Sequence, residues 1–217
     1  MKVTAIVPVL NEGKTIRGVL EAITKSRLID NVIVVDGGSK DESRQVINKF
    51  KLKKLKSVML PRPQGGKGGA ISIATEKIDS DVIFFCDADL VGLKQYHIKQ
   101  IINPVLKGEA TMSIGLRDKR SFIGNLIMPY FPLTGGQRAI LTKVFMEIRK
   151  CPLIEGWGLE SVMNDYCKKK KLKVAKVKLD GMDHIGIQAK KYGLMAFVRQ
   201  IYDAILTRIK LLGVKYD

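Results

Sequence analysis

Short, nearly unbroken apolar runs alternate along this chain with stretches whose apolar residues return every third or fourth position. Lys2–Leu10 reads as a strand, Gly13–Lys25 as a helix, Asn31–Val35 as a strand and Lys40–Phe50 as a helix. Strands at Ser57–Leu60 and Val82–Cys86 follow, around a helix at Gly68–Lys77. Ser39-Lys40-Asp41-Glu42 has the Ser-x-x-Glu spacing of a capping box and is expected to open the second helix. Continuous apolar runs suit strands buried on both faces. The βαβαβαβ series therefore predicts an α/β fold, a mostly parallel sheet with helices on both sides. A late strand is expected at Leu172–Leu179.

Ligands of such sheets bind outside the carboxyl ends of the strands, and the polar residues concentrate there. Strand one runs into Pro8-Val9-Leu10-Asn11-Glu12 and strand two into Asp36-Gly37-Gly38-Ser39. The third runs into Gly65-Gly66-Lys67-Gly68-Gly69 and the fourth into Asp87-Ala88-Asp89. Each loop has an ordinary use by itself: Asn11 can cap a helix, Asp36 can fix a turn, glycines can reverse the chain. Their common position on one rim is what points to a site. Two carboxylates one residue apart at the end of a buried strand need a compensating charge. A divalent ion carrying a diphosphate supplies it, and hard oxygen ligands suit Mg²⁺ or Mn²⁺.

Composition narrows the setting. The 217 residues, 46% hydrophobic and 27% charged, suit a single globular domain. The apolar runs fall short of the ~20 residues that span a bilayer. Met1-Lys2-Val3 enters a strand without a signal-peptide pattern, so a cytoplasmic protein is expected. Cys86, Cys151 and Cys167 are odd in number and lack Cys-x-x-Cys spacing, which fits buried apolar side chains rather than disulfides or a zinc site. The net charge of +17, with Lys-dense stretches at 49–56 and 168–171, fits either polyanionic partners or a solvated Lys-rich surface.

The ordered series VPVLNE, VDGGSKDES, GGKGGA and CDADL resembles the nucleotide-binding half of family 2 glycosyltransferases and their retaining relatives, which share the GT-A fold. The resemblance is strong over residues 1–90 and looser over 91–190. It implies a nucleotide-binding half (1–90) and an acceptor-binding half (91–188) of one domain, which a C-terminal amphipathic helix (189–217), read from its apolar spacing, follows. It further implies a metal-dependent transfer of sugar from a UDP- or GDP-linked donor to a phosphorylated acceptor. Some relatives use polyprenyl phosphates, others soluble acceptors such as phosphoglycerate. Pro8, Asn11 and Glu12 match the loop that holds base and ribose. Asp36 matches the first Asp of the family's Asp-Asp-Gly-Ser, with Gly37 replacing the second. Lys67 matches a Gly-Lys-Gly that offsets diphosphate charge. Asp89 corresponds to the direct metal ligand and Asp87 to the ribose or water-mediated one.

In the second half, Thr134-Gly135-Gly136-Gln137-Arg138-Ala139 resembles a Gly-Gly-x-Arg segment on the sugar and acceptor side. Arg138 is expected to grip a phosphate or carboxylate there, or else to be a solvated arginine in a helix N-terminal turn. Glu160, after Glu155-Gly156-Trp157-Gly158, matches the acidic residue that serves inverting relatives as general base; in a retaining enzyme it would orient sugar or acceptor. His184 resembles the late histidine that contributes to metal or diphosphate, or else Asp183-His184 is a hydrogen-bonded core pair, and another alignment puts Lys190 nearest the diphosphate. His97 reads as a surface or core residue.

Leu194, Val198, Ile201, Ile205, Ile209 and Leu212 recur at helical spacing among Lys190, Lys191, Arg199, Arg208, Lys210 and Lys215. This basic amphipathic helix either packs on the domain or lies on anionic lipid. Two rival functions are weighed. A sugar nucleotidyltransferase would carry a Gly-rich, Arg/Lys-containing loop where this chain has Leu10-Asn11-Glu12. A non-catalytic nucleic-acid-binding protein rests on net charge alone, and the ordered acidic and glycine loops favour the enzyme. Gly68 after Lys67 rules out a Walker pattern, and no Gly-x-Gly-x-x-Gly follows strand one.

Overall fold

The computed structural model describes residues 1–60, 65–117, 135–155, 158–184, 202 and 205–216. The first half is the expected series: β1 (Val3–Val9), α1 (Ile16–Lys25), β2 (Asn31–Asp36), α2 (Ser43–Lys49), β3 (Leu55–Met59), α3 (Gly66–Ala74) and β4 (Val82–Phe85). The second half contributes β5 (Leu90–Val91), α4 (Gln95–Leu106), β6 (Met112–Arg117), β7 (Arg138–Leu141), α5 (Thr142–Ile148), α6 (Leu159–Lys169), β8 (Val174–Leu179) and β9 (Asp183–His184). A further helix, α7, covers 205–211.

Seven strands form one sheet in the order β3-β2-β1-β4-β7-β6-β8. Only β7 is reversed, pairing antiparallel with both β4 and β6, while β6 and β8 run parallel. The sheet is thus mostly parallel, as the apolar runs require. In β4 and the residue after it, Val82, Phe84 and Cys86 belong to the core under α1, α2 and α4, and Ile83 and Phe85 to the core under α3, α5 and α6. A strand buried on both faces has no polar position to spare, so charge begins at residue 87.

Strand order reverses between β1 and β4, which opens a crevice at their carboxyl ends. Pro8 helps to open it. The β1–β4 ladder ends at Ile6↔Phe85, the Cys86 amide donates to the Ile6 carbonyl at 3.1 Å, and Pro8 beyond it has no N–H to extend the pairing.

Two expectations are corrected. Ser39 does not cap α2, whose N-cap is Glu42 without a side-chain bond; the Ser39 hydroxyl accepts the Asn11 amide instead, at 2.9 Å. Arg138 lies in a strand, fully buried, not in a solvated helical turn. The three cysteines are free and buried, and His97 is a core residue: Nδ1 accepts the Lys94 amide at 3.1 Å and Nε2 meets the Asp180 carbonyl at 2.8 Å.

Candidate active site

The first two rim loops are stitched to each other. Asn11, at φ 57°, donates its amide to Ser39 and accepts the Lys40 amide at 2.8 Å. The Glu12 amide donates to the Ser43 hydroxyl at 2.8 Å, and the Gly13 amide to Asp41 at 2.9 Å. Burial alone would raise the Asp41 carboxyl, but bonds from the Ser43 hydroxyl and the Gly13 and Ser43 amides hold it below its ordinary value. Asp36 is fully buried at the end of β2. One of its oxygens accepts the Ser39 amide at 2.9 Å and the other meets Arg44, whose Nη2 also reaches the Leu60 carbonyl at 2.5 Å. Asp36 therefore fastens the second loop to α2 and the end of β3.

The third and fourth loops meet the second half at Lys67. Its ammonium lies 2.7 Å from Asp87 Oδ1 and 2.6 Å from Glu160 Oε1. Burial alone would lower this amine, but the two carboxylates outweigh it and raise it well above the ordinary lysine value. The partners are brought together by backbone contact: a Cβ at Gly68 would lie 1.8 Å from the Ile154 carbonyl oxygen. Only glycine lets the first turn of α3 rest on the chain leading into α6, and that contact sets Lys67 beside Glu160.

Asp87 is seated from the other side by β7. Gln137 Nε2 donates to its Oδ2 at 2.8 Å, and a Cβ at Gly136 would stand 2.0 Å from the same oxygen. Arg138 sits behind them. Its Nε donates to the Gly135 carbonyl at 2.7 Å and its Nη1 to Asn164 Oδ1 at 2.7 Å, one helical turn after Glu160. Burial lowers this guanidinium to about 10, against the raising influence of Glu160, Cys167 and Asp87. The grip on a ligand expected of Arg138 gives way to a strut that joins β7 to α6, because a fully buried guanidinium is spent on protein acceptors.

Asp89 is half-buried just before β5, where Leu90 pairs with His184 of β9. The fold thus carries the His184 backbone to the residue next to Asp89; its side chain, and Gly156, Trp157 and Lys190, lie outside what the structure describes. Among the described residues no three His, Cys, Asp or Glu side chains gather as a metal cage. Two carboxylates at a strand end still fit Mg²⁺ or Mn²⁺, which take their remaining oxygens from water and substrate phosphates. Gln137, Asn164 and Arg44 were given no role by sequence reasoning. Their signals were indirect: a buried Asp36 needs a cation, and Asn164 follows Glu160 at helical spacing.

A crevice at the switch point of this mostly parallel sheet, rimmed by glycine-rich and acidic loops, defines an α/β protein with the GT-A fold. The Glycosyl transferase family 2 model matches residues 4–155, and the chain belongs to that family. It is 28% identical over 112 residues to glucosyl-3-phosphoglycerate synthase of Mycobacterium tuberculosis, a match covering 49% of this chain and 35% of that protein. The O-antigen chain rhamnosyltransferase of Salmonella typhimurium is 33% identical over 104 residues, covering 47% of this chain and 32% of that protein. The matched stretch is about a third of the length of these curated relatives. The crystal structure of the M. tuberculosis synthase with phosphoglyceric acid shares the fold, with a TM-score of 0.80 at 21% identity over 99% of this chain and 81% of that one. A structure of the same protein with Mn²⁺, UDP-glucose and phosphoglyceric acid gives 0.79 at 21% identity, covering 99% and 80%.

Proposed function

We propose that this protein transfers a sugar from a UDP-linked donor to a phosphorylated acceptor, a small phospho-acid or a polyprenyl phosphate, with Mg²⁺ or Mn²⁺, in the cytoplasm. The observation that carries the reading is the meeting of Lys67, Asp87 and Glu160 at the sheet's switch point, one cation between two carboxylates from opposite halves of the chain. The solved relatives that hold UDP-glucose, Mn²⁺ and phosphoglyceric acid support uridine as the base and a phosphate-bearing acceptor.

In this reading the nucleoside rests against Asn11 and Glu12, in loops that Asp36 keeps in place. Asp89 would hold the ion directly, with Asp87 as the ribose or water-mediated partner and His184 as a further candidate ligand. The bound ion would neutralise the charge that builds on the departing diphosphate. Lys67 would exchange the two carboxylates for the same diphosphate, and Lys190 is a second candidate cation for it. Glu160 then accepts a hydrogen bond from the acceptor hydroxyl, and Arg138 positions Glu160 through Asn164.

A thermal-shift panel of UDP, GDP and their sugars, each with and without Mn²⁺, tests this reading. UDP should raise the melting temperature only with metal, and Asp89→Ala should abolish both that rise and transfer while the unliganded melt stays. Metal-independent shifts, or turnover retained in Asp89→Ala, would overturn it.

A further inference from the structure

The helix α7 has two unlike faces. Toward the domain, Leu211 is buried, and Lys169 donates to the carbonyls of Leu211 at 2.6 Å and Val214 at 2.8 Å. The Tyr216 hydroxyl donates to Asp165 at 3.0 Å, and its ring meets the edge of Tyr166 at 4.9 Å between centroids. Away from the domain, Tyr202, Ile205, Ile209 and Leu212 are 60%, 47%, 58% and 83% exposed. At about 100° per residue Ile205, Ile209 and Leu212 project along one arc, bounded by Arg208 on one side and Lys210 on the other. Single exposed apolar residues are ordinary, but the stripe of Ile205, Ile209 and Leu212, aligned outward along α7 and its last turn, marks a contact surface.

Charge selects the occupant. Residues 189–217 hold six Lys or Arg against two Asp, in a chain of net charge +17. A second copy would bring the same cations to a shared contact. An anionic lipid surface is complementary both to the stripe and to the cations at its edges. We propose that this face of α7 docks on an anionic bilayer, with Ile205, Ile209 and Leu212 in the acyl boundary and Arg208 and Lys210 at the lipid phosphates. Leu211 and the Lys169 and Tyr216 contacts hold the domain above it. The docking uses none of the residues of the crevice and stands whether or not the transfer reading does.

Sedimentation of the full chain with vesicles of phosphatidylcholine containing about a third phosphatidylglycerol, and with phosphatidylcholine alone, tests the docking. Binding should need the anionic lipid, and Arg208→Gln and Lys210→Gln should each weaken it about fivefold. The double variant Ile209→Asp, Leu212→Asp should lose it while keeping the wild-type circular dichroism spectrum and melting temperature. Should that variant fail to fold, the two Gln variants decide alone. Absence of binding to anionic vesicles, or binding unchanged in these variants, would overturn the proposal. So would an oligomer that Ile209→Asp dissolves without changing sedimentation, since a second copy would then be the occupant.

Discussion

In the first half of the molecule, Asn11, Glu12 and Gly13 are held by Ser39, Ser43 and Asp41 of the adjoining loop, through backbone amides and short side chains. Where the second half comes in, the contacts are long and charged: Glu160 is reached by Lys67 of the first half, 93 positions away, and Arg138 crosses from β7 to α6. One arrangement is a rim that neighbouring loops make rigid. The other is assembled only when α3, β7 and α6 have docked. The first half should accordingly govern donor affinity, and the second should govern turnover and global stability.

Four measurements can break or sharpen that contrast. Glu160→Gln should lower kcat by about a hundredfold or more with donor affinity nearly unchanged, since Lys67 keeps Asp87 as a partner; an equal loss in donor binding would erase the division. Arg138→Ala should cost about 3–5 kcal/mol in denaturant unfolding, because it strips the Gly135 carbonyl and Asn164 of a buried charged donor. Asp36→Asn, which weakens the Arg44 pair, should cost about 2 kcal/mol and raise the donor Kd more than it lowers kcat.

The smallest effect is at Asp41. Its carboxyl lies below its ordinary 3.8, so its contribution is present above that value and fades as pH falls through the lower folded value. The stability difference between wild type and Asp41→Asn should therefore be flat near neutrality and shrink in acid, as read by urea unfolding across pH.

The legibility of the sequence follows the same contrast. β1, β2 and β4 were readable because both their faces are buried, and the rim acids because they stand where those runs stop. Lys67, Asp87 and Glu160 were found singly, but nothing in their spacing told that one lysine would bridge the other two. Arg138 misled because a glycine pair before an arginine suggests an open loop, whereas the glycines here let β7 press against Asp87 and Gly115. Ser39 misled for a related reason: the capping-box spacing is local, but its hydroxyl is taken up by the neighbouring loop, where it accepts the Asn11 amide.

The lysine between Asp87 and Glu160 also bears on the order in which the molecule is loaded. The fold carries its own exchangeable countercharge, so the acidic rim is compensated before any ion arrives and a chelator should leave the empty protein's melting temperature where it was. Displacing that ammonium takes a polyanion and a cation together. On the proposed reading a metal would then be best delivered already chelated to the nucleotide, and a bare ion should compete poorly for the place that the ammonium holds.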